Sequence, residues 1–268
     1  MRLIKTIVLL SVLSGAALGI GGCDSAELLE SDLDEMPGEE EVACAFLSDG
    51  LTVLDSLAAY YPLNGDALDY SGHCRDAEAL GSYQFTDGID SLALQFNGTS
   101  TILRIGAQVS PLPATRSTIV FWIRQTQFLE RDSVMEVASW PDCWMKHTWS
   151  ASSAGYHRWY STCDQGGGQI WDQWMSQWLM VTIRSLTGRD SHKAFRVRVA
   201  SPDLSWHSLW DSEAGVIEGG GEILFGAHDS DQITAPNRFG GLIDEIRIYN
   251  KILTAEEEKM IFDHYHGY

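Results

Sequence analysis

The chain has 268 residues, and its 18 Lys and Arg face 37 Asp and Glu, for a formal net charge of −19 at pH 7. Such an excess of acid argues against a nucleic-acid partner, because affinity for phosphate comes mainly from Lys and Arg. With 44% hydrophobic and 10% aromatic residues, the chain has enough apolar surface for a sizeable core, and its length suits one large β domain.

Arg2 and Lys5 precede an apolar run from Ile7 to Ile20, which closes on Gly21-Gly22-Cys23. A charged start, a short apolar segment and small residues before a cleavage point are the pattern of a secretory signal peptide, here over residues 1–22, the alternatives being an ordinary signal peptide with a chance Cys or an N-terminal membrane helix. The run is shorter than the roughly 20 residues of a spanning helix. Its end resembles the lipobox of bacterial lipoproteins, in which the Cys becomes the lipidated first residue. The resemblance implies lipid on Cys23, membrane contact through that lipid only, and a place in the bacterial cell envelope, at the outer membrane, cell surface or periplasmic face. Nine acids and no Lys or Arg lie between Asp24 and Glu41. Like charges extend such a segment, and it has little apolar surface to offset the entropy of ordering. Residues 23–42 are therefore expected to be a flexible acidic tether, and residues 43–268 the folded domain.

Within that domain, short runs rich in β-branched and aromatic residues recur between Gly, Asn, Asp and Pro. Leu92, Leu94 and Phe96 alternate with small or polar neighbours, and Asn97-Gly98 follows as a hairpin turn tolerant of positive φ. Ser117–Arg124 is apolar on both faces, as a central strand would be. Phe195, Val197 and Val199 alternate with Arg196 and Arg198, and Leu242–Tyr249 supplies a late strand. The pattern predicts an all-β sandwich of two antiparallel sheets. A single helix is expected at the end, from Ala255 to about Tyr265, opened by a Thr254–Glu257 capping box and packed through Ile261, Phe262 and Tyr265.

With Cys23 lipidated, four Cys remain. An even number in an exported chain suggests disulfides, although four allow three connectivities. The favoured pairs are Cys44–Cys74, tying the tether to the domain, and Cys143–Cys163, closing a loop-rich insertion. The competing reading, a zinc site, lacks the usual C-x-x-C spacing.

Three stretches carry a family resemblance. Ala59-Tyr60-Tyr61-Pro62-Leu63-Asn64-Gly65-Asp66-Ala67-Leu68-Asp69-Tyr70-Ser71-Gly72 resembles the opening of the laminin-G-like, concanavalin-A-like jelly-roll domains of bacterial surface proteins. Leu94-Gln95-Phe96-Asn97-Gly98 is similar to their second strand and turn. Gly240-Gly241-Leu242-Ile243-Asp244-Glu245-Ile246-Arg247-Ile248-Tyr249-Asn250, with Leu253 and Glu256-Glu257, is similar to their closing strand. The resemblance covers Leu57 to Tyr265 and implies a jelly roll with a short C-terminal helix. The chain departs from the pattern at about residues 140–178, an insertion rich in Trp and Cys.

Two candidate sites follow. On an extended strand Asp244 shares a face with Ile246 and Ile248, and a carboxylate on a core face needs a partner or a cation. The resemblance implies a structural calcium in some members, which places Asp69 and Asp244 first, and Asn64 and Asp66 second, as oxygen ligands. The alternative is that these residues cap turns and accept backbone N–H bonds. The second candidate is the set Trp144, Trp149, Trp159, Trp171 and Trp174. The resemblance implies glycan binding in many relatives, so exposed rings here would stack on sugars; otherwise they fill a small subcore. Enzyme signals are thin. The related glucanases use an E-x-D-x-x-E strand with carboxylates on one face, and none occurs here, while Asp244 and Glu245 point to opposite faces if extended. No catalytic residue is assigned. The expected function is a non-catalytic envelope module for a polysaccharide or glycoprotein. The alternatives are a structural or protein-interaction domain without a sugar site and, third, a divergent hydrolase or lyase.

Overall fold

The computed structural model describes residues 44–46, 51, 53–108, 116–127, 134–140, 143–149, 157–161, 167–170, 176–186, 195–200, 206–212, 221–227 and 237–266. The leader, the tether with Cys23, Cys163, Trp171 and Trp174 lie outside these residues.

The elements in chain order are β1 (Leu57–Tyr61), β2 (Glu78–Leu80), β3 (Gln84–Asp87), β4 (Leu92–Asn97), β5 (Ile102–Ile105), β6 (Arg116–Gln125), β7 (Val134–Trp140), β8 (Cys143–Trp149), β9 (His157–Ser161), β10 (Gly167–Ile170), β11 (Leu179–Leu186), β12 (Phe195–Ala200), β13 (Trp206–Ser212), β14 (Ile223–Phe225), β15 (Gly240–Tyr249) and the helix α1 (Ala255–His266). They form two antiparallel sheets. The first runs β13-β12-β11-β6-β15-β4-β3, and the second β10-β9-β8-β7-β14-β5-β2. One edge of β15 is shared: Gly240–Ile243 pair with β4 and Ile246–Tyr249 with β1. The opening and closing segments of the domain therefore lie side by side.

Strand β6 shows why a run apolar on both faces becomes a central strand. Ile119, Phe121 and Ile123 belong to the core between the sheets, with Leu103, Ile105, Phe225, Ile243, Ile246 and Ile248. Val120 and Trp122, on the other face, pack with Met180 and Tyr249 against Ile261 and Phe262 of α1. Trp122 stacks on Phe262, with centroids 5.7 Å apart and planes at 24°; such pairs add about 0.5–1.5 kcal/mol beyond area burial. The helix starts where its cap predicts. The Glu257 backbone N–H donates to Thr254 Oγ1 at 3.2 Å, and the Thr254 N–H donates to Glu257 Oε2 at 2.8 Å. Glu258, buried on the inner side of α1, accepts from Arg184 Nε at 2.5 Å, an ion pair fixing the helix to β11.

Two expectations about local structure are corrected. Asn97-Gly98 does not make a hairpin, because β4 lies in the first sheet and β5 in the second. The turn is an arch between layers. Asn97 Oδ1 accepts the backbone N–H groups of Thr99, Ser100 and Thr101 at 2.8–3.2 Å, and Gly98 has φ of 79°. The segment expected to be a loop-rich insertion instead contributes β8, β9 and β10, which hydrogen-bond in sequence and extend the second sheet from β7. At the N-terminal side, Cys44 is disulfide-bonded to Cys74 with Cα atoms 4.9 Å apart, and Phe46 bridges Ser71.

Candidate functional site

The loop after β1 is organised by its own carboxylates. Asp69, fully buried, accepts the N–H groups of Tyr60 and Ser71 on Oδ1, and the Arg75 N–H and Ser71 hydroxyl on Oδ2, all at 2.9–3.0 Å. Asp66 accepts from the Leu68 N–H at 3.1 Å and from the Tyr70 hydroxyl at 2.9 Å. Partial burial and that bond to Asp66 push the Tyr70 phenol up to about 12. Ser71 Oγ lies 2.9 Å from His73 Nδ1 as well as from Asp69. The carboxylate therefore bonds to the serine rather than to the histidine, and the trio lacks the relay order of a nucleophilic triad.

Asn64 and Asp244 meet at a different place, the turn between β3 and β4. Asn64 Oδ1 accepts from the Leu92 N–H at 2.8 Å. Asp244 Oδ2 accepts from Ile89 and Asp90 N–H at 2.9 and 3.4 Å, and its Oδ1 accepts from the Glu245 N–H at 2.9 Å. The fit is close enough that a Cβ on Gly88 would come within 2.4 Å of Asp244 Oδ2.

The four residues expected to bind calcium thus fall into two groups, Asp66 with Asp69 and Asn64 with Asp244, and their oxygens are engaged by N–H and O–H donors. A cation site of this kind needs six to eight free oxygen ligands. The arrangement does not fit one. Among the described residues, no group of three or more His, Cys, Asp or Glu side chains is placed to hold a metal ion.

The assignment of Asp244 to the face of Ile246 and Ile248 is also corrected. Glu245 has φ of 53°, and the pairing of β15 with β6 shifts between Asp244 and Arg247. An extra residue in one strand reverses the alternation beyond it. Asp244 is therefore in register with Trp122, on the α1 side, while Ile243, Ile246 and Ile248 face the inter-sheet core. Burial first, and the neighbouring charge of Glu245 second, hold the Asp244 carboxyl well above the usual carboxylate range.

The bulge also builds a buried polar cluster that the sequence pattern did not reveal. Glu245 Oε2 accepts from the hydroxyls of Tyr60 and Tyr265 at 2.7 and 2.5 Å and pairs with Arg247 Nη2 at 3.0 Å. The Arg247 guanidinium lies 4.1 Å from the Tyr60 ring centroid and 5.4 Å from that of Tyr265. This cluster locks α1 to β1 and β15. A second unanticipated pair, Arg238 Nη1 with Glu136 Oε2 at 3.1 Å, is buried where the lead-in to β15 bridges β7. Its only sequence signal is a charged residue on each of two strand-like stretches.

The tryptophan-bearing strands are defined by register. Met145 is a core residue, and alternate positions on a strand share a face. His147 and Trp149 therefore occupy core-side positions, as does Trp159, which opposes His147. Trp144, opposite Ser139, has the other parity. Of the five tryptophans expected to contact sugar, Trp144 and Trp149 lie on β8 and Trp159 on β9, and Trp171 and Trp174 fall outside the described residues.

Neither protein-family models nor curated proteins give a match to the chain. Solved structures do. The binding domain of Paraclostridial Mosquitocidal Protein 1 aligns with a TM-score of 0.53 at 18% identity, over 79% of this chain and 53% of that one. A botulinum neurotoxin type C structure, whose cell entry is described as dependent on two ganglioside molecules, aligns with a TM-score of 0.53 at 11% identity, over 80% and 52%. The botulinum neurotoxin serotype D binding domain aligns with a TM-score of 0.52 at 13% identity, over 80% and 52%. The chain spans about half the length of these neighbours. The likeness is one of fold, a two-sheet antiparallel β-sandwich.

Proposed function

We propose that the chain is a non-catalytic, lipid-anchored module of the bacterial cell envelope that binds a polysaccharide or glycoprotein through the outer face of its second sheet. The observation that carries this reading is the placement of β8, β9 and β10. The aromatic-rich segment supplies three adjacent hydrogen-bonded strands to the sheet remote from α1, and Trp144 falls on the parity opposite the core. The first sheet offers no comparable platform at its centre, since α1 covers Val120, Trp122 and Met180. The Ile-Gly-Gly-Cys23 leader end supports the anchor. The Cys44–Cys74 disulfide would fix the tether at the opening loop, and twenty extended residues reach about 70 Å at most.

A glycan array probed with the full chain in detergent tests the reading. Binding to a defined set of glycans is expected, with Trp144→Ala weakening it at least tenfold at unchanged melting temperature, as for a central aromatic contact. Trp159→Ala, at a core-side position, should lower the melting temperature instead. Failure to bind any glycan, or binding indifferent to Trp144→Ala, would refute the proposal.

A further inference from the structure

We infer that the Cys44–Cys74 disulfide carries tension from the tether past β1 and into the second sheet; the inference rests on the lipid-anchored reading above and says how the anchor is borne. A domain held by lipid at one end and by a bound surface polymer elsewhere is pulled along its tether. By chain order alone that pull would enter at Leu51 and Val53, which are buried in the apolar cluster of Trp122, Tyr249, Ile261 and Phe262. It would pass next to β1, a five-residue strand whose ladder is made with β15. A terminal segment is ordered only as far as it is tied down, so tension at its free end opens it first. Loss of β1 breaks more than its ladder. Tyr60 leaves the Glu245 carboxylate, to which it donates at 2.7 Å, and its ring leaves the Arg247 guanidinium. Upstream, the Asn250 N–H loses the Ser56 carbonyl.

The disulfide takes β1 out of this path. It joins Cys44, where the tether meets the domain, to Cys74 across a separation of 30 residues, and β1 lies wholly inside the loop so closed. A pull on Cys44 is delivered through a covalent bond to Cys74. Anchors follow at once. The Arg75 N–H donates to Asp69 Oδ2 at 3.0 Å, its Nη1 donates to the Ala58 carbonyl at 2.6 Å, and its own carbonyl accepts from the Tyr61 hydroxyl at 2.6 Å. The Asp69 N–H donates to Asp76 Oδ1 at 2.8 Å, and the Ala77 N–H to the Ala67 carbonyl at 2.9 Å. The next residues form β2, at the edge of the second sheet and paired with β5. Two of the anchors reach β1 from the side, at Ala58 and Tyr61, so the strand braces the loop instead of being drawn off by its end. The load enters the sheet proposed to hold the ligand, and the β1–α1 clamp stays outside its path.

The test stretches the full chain, in detergent, in an optical trap. One handle is at the N-terminus, and the other is on an azide-bearing residue replacing Ala107, exposed in the turn after β5. With the disulfide intact, the main transition is expected with no earlier step. After reduction, an early step should appear at about half the main force or less, releasing roughly 40 Å as Leu51–Tyr61 come away. Reduction also removes the stability that the bond supplies, so a second arm keeps it. The first handle is moved to an azide-bearing residue replacing Asp55, exposed on the turn before β1 and in a surface ion pair of little worth. That pull loads β1 directly, and the early step should return although the disulfide is whole. Should the reduced protein unfold without load, the Asp55 arm decides alone. An early step under terminal pulling of the oxidised protein, or none under pulling from position 55, would overturn the inference. Membrane retention of the chain against release of Cys23→Ala reads the anchor separately. Equal retention of the two would overturn the anchor, and with it the source of the tension, whatever the force traces show.

Discussion

Asp244→Ala isolates the clamp that joins the last strand to the turn between β3 and β4. The substitution removes an acceptor from three backbone N–H groups. The Glu245 N–H is buried, whereas those of Ile89 and Asp90 belong to half-buried residues, and the Asp90 contact is long at 3.4 Å. Leaving a buried donor unsatisfied costs about 1–3 kcal/mol, and a half-solvated one less. Relief of repulsion with Glu245 offsets part of this. A net loss of about 2–3 kcal/mol is expected, seen as a lower urea midpoint at unchanged slope and as a melting temperature reduced by roughly 5–10 °C. A loss below about 1 kcal/mol would refute the clamp. The pH dependence gives an independent check. The folded-state pKa of Asp244 is raised above an unfolded value of about 3.9. Its contribution is therefore fully present below about pH 4 and is lost as pH rises through the folded pKa. Asp244→Asn should remove that decline, so the cost of the substitution shrinks with rising pH. Parallel stability–pH curves for the two proteins would show that Asp244 does not titrate as described.

Three further outcomes are expected. Glu258→Ala removes the carboxylate that pairs with the buried Arg184 guanidinium and should cost about 3–5 kcal/mol in urea unfolding; a cost under about 1 kcal/mol would mean that the pair does not hold α1. Replacing Cys44 and Cys74 together by Ser opens a loop whose ends are 30 residues apart, with an expected loss of about 3–4 kcal/mol, checked by comparing the oxidised protein with the variant under non-reducing conditions. Excess EDTA should leave the melting temperature within about 1 °C, because donors of the protein engage the Asp69 and Asp244 oxygens; a drop of several degrees, reversed by calcium, would reinstate a cation.

What the sequence disclosed was local. Alternation in β4 and β12, the doubly apolar run of β6 and the Thr254–Glu257 box each encode their structure within a few residues. The Glu245 bulge was hidden because positive φ is expected of Gly, Asn or Asp rather than Glu. One unseen extra residue then inverted the face assigned to Asp244. Asn97-Gly98 signals a reversal of direction, yet nothing local tells a hairpin from an arch, since the choice depends on which sheet β5 joins. The strands of the Trp-rich segment escaped for a related reason. In β8, Trp144, Met145, Lys146 and His147 do not alternate cleanly between apolar and polar. Buried pairs such as Arg238–Glu136 join residues 102 positions apart, a relation no window on the sequence contains.

The same bulge commits the centre of the first sheet to holding α1. By turning Glu245 into the space beneath α1, it brings a carboxylate between Tyr60, Arg247 and Tyr265 and makes the helix part of the sheet's polar bonding. A charge cluster so enclosed is costly to open, because separating the partners leaves an uncompensated buried ion. The outer face of the first sheet is thereby committed at its centre to holding α1, and the acids of the opening loop are committed to its turns. The second sheet carries no helix on its outer face among the described residues. Its strands β8, β9 and β10 carry the aromatic-rich segment, and β7 beside them holds the buried Arg238–Glu136 pair. Substitution of Trp144 should change ligand affinity while sparing stability, the reverse of substitutions at Asp244 and Glu258. A set of variants in which the two effects failed to separate would show that the division of labour between the sheets is misassigned.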